Sequence, residues 1–549
     1  MRDRRHKQCH LKTVLEFLCV FALATGTAVA QPVVNKGGVL NAGSYILPDL
    51  PNSGIAQGSM FVVFGQKMGP ANLVQVSSFP LPTSLAGTSI KVSVQATTVD
   101  AIMIYSMASQ VAAVLPSRTL TGDGTLTVTY GGLTSPPVSI HVVRSAFGIF
   151  TRNQAGTGPA IIQNVNSEAD RPLNAFTNAA RPGQTMILWG TGLGPVSGDE
   201  ASGPLPGDLN IPVQVVVGDK DAKVLYKGRS GCCVGVDQIV FEVPQGVEGC
   251  LVRVRLRAND VPSNVATMSI AATGSVCSEH GLSGTDFEKP AAGSPLNVGY
   301  VSLGRSAYWF ANQPSGATSE AGGAVFYRYS WADLVAALGA PQGVIGSCDV
   351  YLFTLPTSVS SVPSLDAGPT LEIRGPIGRK TLSRMGSSPN YSYVGVFSPE
   401  GGPAYLVPGE YTATGVGGAA VGAFQTTLTI LPSFSFKWTN HSGINNVQRS
   451  RDLAVTWSGG DATKQRVNII GTSAATGRGG SFICTAPMGA GQFTIPPSVL
   501  SSIPASTQTG GGSLQVISEL LTPTRFTAPS LHWGYVTFRE GYTKGVNYQ

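Results

Sequence analysis

Phe64-Gly65-Gln66-Lys67-Met68-Gly69-Pro70 recurs as Trp189-Gly190-Thr191-Gly192-Leu193-Gly194-Pro195, 125 residues further along the chain. Two more segments repeat in the same order. Pro80-Leu81-Pro82 returns as Pro204-Leu205-Pro206 at an offset of 124, and QVAAVLP from Gln110 returns as QIVFEVP from Gln238 at an offset of 128. Three matches in one order at nearly one spacing mean two copies of a unit of domain length. Short strand-like runs surround each copy. In the first, 58–65 is an apolar run closed by glycine, Ile90-Lys91-Val92-Ser93-Val94 alternates apolar and polar residues, and 125–130 and 138–142 flank a Gly131-Gly132 turn. The second repeats the order at 185–189, 213–217, 239–243 and 251–256. Strict alternation buries one face of each strand and wets the other, which predicts two packed antiparallel sheets per copy.

The wider composition agrees. Only 12% of residues are charged, while 68 Gly and 37 Pro interrupt the chain, so almost no window supports a long helix. Asn41-Ala42-Gly43-Ser44-Tyr45, the two glycine-rich segments, 77–90 and the QIVFEVP strand together resemble an uncharacterised family of secreted proteins abundant in Acidobacteria of the Solibacter type. The paired modules of that family resemble IPT/TIG immunoglobulin-like domains. The resemblance covers about residues 38–272 and implies a fold and an address outside the cytosol, without implying a reaction. Gly231-Cys232-Cys233-Val234-Gly235 departs from it, because a cysteine-free glycine turn is expected there.

The expected fold class is therefore all-β, with tandem immunoglobulin-like β-sandwiches at 31–147 and 148–272 followed by two further β-rich modules. Residues 273–296 read as a linker. A third unit spans 297–432 and contains the one clear helix, 331–338, capped by Ser330 with Asp333 three residues on and stopped by Gly339 and Pro341. A fourth, a β-sandwich at 433–549, has strands expected at 434–438, 453–457, 467–470, 482–484 and 535–538.

Residues 1–30 read as a signal peptide: Arg2, Arg4, Arg5, Lys7 and Lys12 precede an apolar run, and Ala28-Val29-Ala30 offers a small-x-small cleavage site. Cys19 lacks the small preceding residue that lipoprotein processing needs. Removing the segment's five basic and two acidic residues takes the net charge from +6 to +3. A balance that close to neutral gives no reason to expect nucleic acid as a partner, and no later stretch is apolar enough to span a bilayer.

Six cysteines follow the signal segment: Cys232, Cys233, Cys250, Cys277, Cys348 and Cys484. An even number in an exported chain favours disulfides. If copy two is a sandwich, the strand at 238–244 separates Cys232 and Cys233 from Cys250 by roughly 20 Å, and the last strand returns Cys277 to the end where Cys250 lies. A bond needs Cα atoms within about 7 Å. The expected pairs are Cys250–Cys277, a vicinal Cys232–Cys233 and Cys348–Cys484. Two separate buried thiols at 348 and 484 are the alternative.

No catalytic, cofactor or metal site is nominated. Gly190 to Gly194 cannot cradle a phosphate, because Pro195, Gly198, Pro204 and Pro206 forbid the helix such a loop must open. His141, His280, His441 and His532 show no metal-ligand spacing. Asp219 and Asp221 are expected in a hairpin turn, as is Asp123 between two glycines; a weak calcium site is the alternative to plain turn chemistry. Two surfaces have the chemistry to bind a ligand. Arg253, Arg255 and Arg257 share one strand face by the period of two and suit an anionic polysaccharide, against an ordinary solvated face. Trp309 and Trp331, with the tyrosines and phenylalanines beside them, suit sugar stacking, against an ordinary core role. Three readings result: a non-enzymatic extracellular or envelope-associated structural or interaction protein; a carbohydrate-binding protein using its C-terminal half, with an extracellular polysaccharide or cell-surface protein as partner; and a hydrolase with its site in 290–549.

Overall fold

The computed structural model describes residues 31–46, 48, 53–154, 156–279, 282–288, 294–309, 317–330, 347–354, 362–476, 478–506 and 511–549. The signal segment and the helix expected at 331–338, with Trp331, lie outside these residues. Within them the chain is almost entirely β.

Copy one is a two-sheet sandwich. Val33–Asn41, Met60–Gln66, Gln110–Val114, Ile102–Ser106 and Val74–Gln75 form one sheet; Ile55–Ala56, Val138–Val143, Gly122–Tyr130, Thr88–Val94 and Ser84–Leu85 run along the other. Phe61, Val63, Val92 and Leu126 are among the side chains that fill the space between. Strand pairing repeats with the sequence. Phe64 lies opposite Gln110 and Trp189 opposite Gln238; Val34 lies opposite Gly65 and Ile149 opposite Gly190. That last correspondence explains the shared glycine. A Cβ at Gly65 would collide with the Val33 carbonyl oxygen, and one at Gly190 with the Gly148 carbonyl and the Phe147 ring, so only glycine admits the crossing strand.

The copies differ at one strand. Copy one breaks it into Thr97–Asp100 and Ile102–Ser106 around the buried Ala101, which leaves its sheets separate. In copy two Lys220–Arg229 runs on unbroken, pairing with Val213–Val217 near its start and with Asp237–Glu242 along the rest. A bulge between Val224 and Tyr226 turns the strand from one partner to the other.

The segment expected as a linker is structured. Ser278–Glu279 pairs with Leu282–Ser283, and the short helix Gly284–Glu288 follows. Phe287 is only 5% exposed and packs on Phe176 of copy two and Trp533 of the C-terminal half, with ring centroids 5.1 and 6.5 Å away. An apolar ring inside an otherwise polar stretch supplies the reason: burial against two neighbouring bodies holds it in place.

The C-terminal half departs further from a series of beads. Leu296–Trp309, from the third unit, lies parallel to Trp533–Tyr548, the chain's last strand, with Val298 opposite Trp533 and Trp309 opposite Lys544. One sheet runs from Ser347–Thr354 at one edge to Phe424–Ile430 at the other, and the boundary expected at 432/433 does not divide it. Two cores lie along this sheet. One gathers Val301, Phe326, Tyr393 and Tyr411 with Phe526, Val536 and Phe538 from beyond the boundary. The other packs Trp438, Trp457, Ile469, Phe482 and Tyr548 beneath a small sheet of Phe436–Trp438, Leu453–Gly459 and Gln492–Ile495, and takes Cys348 and Val350 from the third unit. Of the two central strands, 14 and 16 residues long, the last serves both cores, with Val536 and Phe538 in one and Val546 and Tyr548 in the other, while Leu296–Trp309 gives Val301 and Leu303 to the first.

Candidate functional site

The structure places the cysteines as three disulfides: Cys250–Cys277 and Cys348–Cys484, with Cα atoms 5.1 and 3.9 Å apart, and the vicinal Cys232–Cys233. Cys250 and Cys277 sit in the apolar cluster that joins copy two to the C-terminal half. The 232–233 turn lies at the opposite end, where Val234 packs on Leu81, Ile102 and Val114 of copy one. Cys348 faces Cys484 across adjacent antiparallel strands, binding the edge strand of the large sheet to its neighbour.

The arginine face is not the open surface it was expected to be. Arg253 is 4% exposed, Arg255 half-buried, and only Arg257 is exposed. Position along the strand explains the gradient. Arg253 lies mid-sheet, opposite Thr267 on one side and with its carbonyl accepting from the Gly218 N–H on the other, whereas Arg257 approaches the Asn259-Asp260 turn.

The aromatic groups divide between core and surface. Phe326 is fully buried, while Tyr327 and Tyr329, with ring centroids 5.5 Å apart, are half-buried on the opposite face of the same strand. Tyr300 shares that face, under the Arg539 guanidinium at 5.5 Å. The exposed Val394 and Val396 continue it at its far side. Trp309 is half-buried at the end of its strand and stacks on His441 (4.2 Å) and Tyr542 (5.7 Å). Burial, then the charges of Lys544 and Lys437, hold His441 below the usual imidazole range. Lys544 donates to the His441 and Ser442 carbonyls, and burial lowers its own pKa.

Sequence reasoning missed the buried charges. Arg305 donates from Nε to Glu320 at 2.9 Å and from Nη1 to Glu540 at 3.2 Å. Glu320 also accepts from the Tyr405 and Leu406 amides, at 2.6 and 2.9 Å, and Glu540 from the Phe436 amide at 3.2 Å. Burial raises the Glu540 pKa, against the pull of Arg305. Two carboxylates are thus brought together, but their oxygens are spent on one guanidinium and three backbone amides. They tie backbone beside each C-terminal core to the two central strands. Residues 305 and 540 are too distant in sequence for any local pattern to connect them; the only trace is a charge at a strand position whose neighbours alternate into the core.

A second such cluster joins the two copies. Arg229 (3% exposed) is ion-paired with the fully buried Asp237, and its Nη2 donates to the carbonyls of Gly58 in copy one and Gly194 in copy two, at 2.7 and 2.8 Å. Asp237 accepts from the Leu193 amide at 2.7 Å, so the glycine-rich segment of copy two is held at this junction. Burial pushes Asp237 upward, and Arg229 and that amide pull it back. Glu200 accepts from the Ser117 amide and hydroxyl at 2.7 and 2.9 Å. The Met60 amide donates to Thr191 Oγ1, which donates to the Gly235 carbonyl.

Asp219 follows Gly218 in the turn between two paired strands, and Asp221 accepts from Gln214 at 2.8 Å just beyond it. Asp123 is on a strand, not in the expected turn, opposite His141 and 2.7 Å from its Nδ1. His280 lies outside the described residues. Among the described residues no group of three or more His, Cys, Asp and Glu is placed to hold a metal ion, and no helix is long and apolar enough to cross a membrane.

The fold places the chain in a class: an all-β protein of tandem immunoglobulin-like sandwiches with a second, interleaved β-rich half. No family model matches the chain, and no curated protein matches it. Among solved structures it is similar to domains 5–6 of the S-layer protein SbsC (13% identity, 44% of this chain and 100% of that one, TM-score 0.17). It is similar also to the Bacteroides ovatus mixed-linkage glucan utilization locus protein SGBP-B, solved with a mixed-linkage heptasaccharide (10% identity, 85% and 92%, TM-score 0.13). An I-band fragment of titin is a third (8% identity, 67% and 94%, TM-score 0.11).

Proposed function

We propose that this chain is an exported, non-enzymatic scaffold protein of the extracellular or envelope space, acting through contact surfaces. The observation that carries the reading is where its buried charges go. Arg229 with Asp237, Glu200, and Arg305 with Glu320 and Glu540 all clamp backbone at junctions between packed bodies. Groups spent this way orient modules and have no free valence for turnover. Three disulfides suit an oxidising compartment. Membership of the secreted Acidobacterial family with paired IPT/TIG-like modules, and cleavage near Ala30, belong to the same proposal. Fractionation with N-terminal sequencing tests it: the product should be found outside the cytosol, beginning near Gln31. A full-length cytosolic product with eight free thiols would end it.

The second reading, carbohydrate binding by the C-terminal half, is favoured by the half-buried tyrosines at 300, 327 and 329 on one sheet face and by the Trp309 stack. Aromatic faces suit sugar rings. Pull-down of the full chain on plant, fungal and bacterial polymers separates the two: retention lost in Tyr327→Ala and Tyr329→Ala favours the second, and no retention leaves the first.

A further inference from the structure

The three disulfides differ in what they join and in what can reach them. Cys250, Cys277 and Cys484 are at most 1% exposed, and their bonds close loops spanning 27 and 136 residues. Cross-links of that kind restrain the unfolded chain and stabilise the fold. Cys232 and Cys233 are both exposed and adjacent in sequence, with Cα atoms 3.8 Å apart, the span of a single trans peptide. Their bond closes nothing beyond its own peptide link, so it offers almost no loop-closure stabilisation. Its effect is confined to the shape of one turn.

That turn is the hinge piece of the junction between copies one and two. Arg229, just before it, holds the Gly58 carbonyl of copy one. Val234, just after it, packs on Leu81, Ile102 and Val114, and the Gly235 carbonyl receives the Thr191 hydroxyl that in turn accepts from the Met60 amide. The turn is closed by the Ser230 amide donating to the Val236 carbonyl at 3.0 Å. Ser230 Oγ donates to Cys232 Sγ at 3.0 Å.

We propose that Cys232–Cys233 is a thiol-exchange site whose opening loosens the contact between the first two modules. The reductant is a dithiol. Its thiolate attacks Cys233 Sγ, the S–S bond breaks, and the electron pair leaves on Cys232 Sγ, where the Ser230 hydroxyl stabilises the thiolate before it is protonated. The second thiol of the reagent then displaces Cys233 from the mixed disulfide. The products are two protein thiols and one oxidised dithiol, so two electrons pass from the reagent to the protein. Both free cysteines regain their rotamers, and the 231–235 turn no longer holds Val234 and Gly235 against copy one.

The test uses the oxidised full chain, limiting dithiothreitol, maleimide labelling with peptide mapping, and amide hydrogen exchange. Cys232 and Cys233 should label at least about tenfold faster than the other four cysteines, since Cys250, Cys277 and Cys484 are buried, Cys348 is half-buried, and both of their bonds need local opening before a thiol can reach them. Exchange at Met60 and at 230–236 should rise in step with that labelling, and Ser230→Ala should slow the opening several-fold. A variant carrying Cys232→Ser and Cys233→Ser should show the raised exchange without dithiol. Equal labelling of all six cysteines would overturn the proposal. So would selective labelling with junction exchange unchanged in the reduced wild-type chain, which needs no variant to fold.

Discussion

The first two modules and the C-terminal half are built from the same kind of strand, yet they are joined in opposite ways. Copies one and two each fill a separate core from consecutive residues and meet at a junction where Arg229, Asp237, Glu200 and Ser117 lie beside Val234 packed on Leu81, Ile102 and Val114. The C-terminal half shares a strand, since residues 296–309 need 533–548 as a neighbour and both cores draw on 533–548. Short-range pairing lets a module form and be duplicated, which is what the 125-residue repeat records. Pairing across more than 200 residues requires loop closure before any contact is gained, so that half must form as a unit.

Cutting the chain is the harshest way to break this comparison. Residues 31–272 should give a cooperatively folded β protein by circular dichroism. Residues 297–432 alone should give none, because Phe526, Val536, Phe538 and the parallel partner strand are gone. A stable 297–432 fragment would mean the shared strand is dispensable.

Two arginine truncations sharpen the contrast. Arg305→Ala leaves Glu320 and Glu540 facing no cation and should cost roughly 3–5 kcal/mol, read in urea as an earlier transition of the whole C-terminal half. Arg229→Ala strands the buried Asp237 at a comparable cost of about 3–5 kcal/mol, but it should separate the unfolding of copies one and two into two steps. If both variants give the same pattern, the halves are joined alike after all.

Replacing Cys348 and Cys484 together by Ser should lower the C-terminal transition by about 2–4 kcal/mol without moving the N-terminal one. Differential scanning calorimetry, which resolves the two, is the measurement.

The smallest effect is in pH. His441 is held below its unfolded value of about 6.5, so the folded chain prefers the neutral ring and the unfolded chain takes up the proton first. Its contribution is complete above about pH 6.5 and is lost as pH falls below that. His441→Gln should flatten that acid loss in the C-terminal transition. An unchanged slope in the variant would show that the ring carries none of it.

Much of the strand pattern was legible. Val213–Val217 has the bounds its alternation implies, and Leu453–Gly459 extends the expected strand by two residues. Long strands were read short: 535–538 is the locally legible part of Trp533–Tyr548, whose other residues include Glu540 and Lys544, both buried by partners from elsewhere in the chain. Arg253 failed for the same reason, because a period of two assigns a face without saying how deep in the sheet it lies. Phe287 was overlooked as the lone aromatic of a polar stretch.

Local chemistry in the sequence set the strand periodicity, the glycine crossings at 65 and 190 and the even set of cysteines, since each depends on residues a few positions apart or on composition. Tertiary structure alone decided that units three and four interleave, that Arg305 bridges two glutamates, and which arginines and aromatics reach water. Those outcomes depend on which strands meet across hundreds of residues, and burial, which sets the worth of every charge here, exists only once they have met.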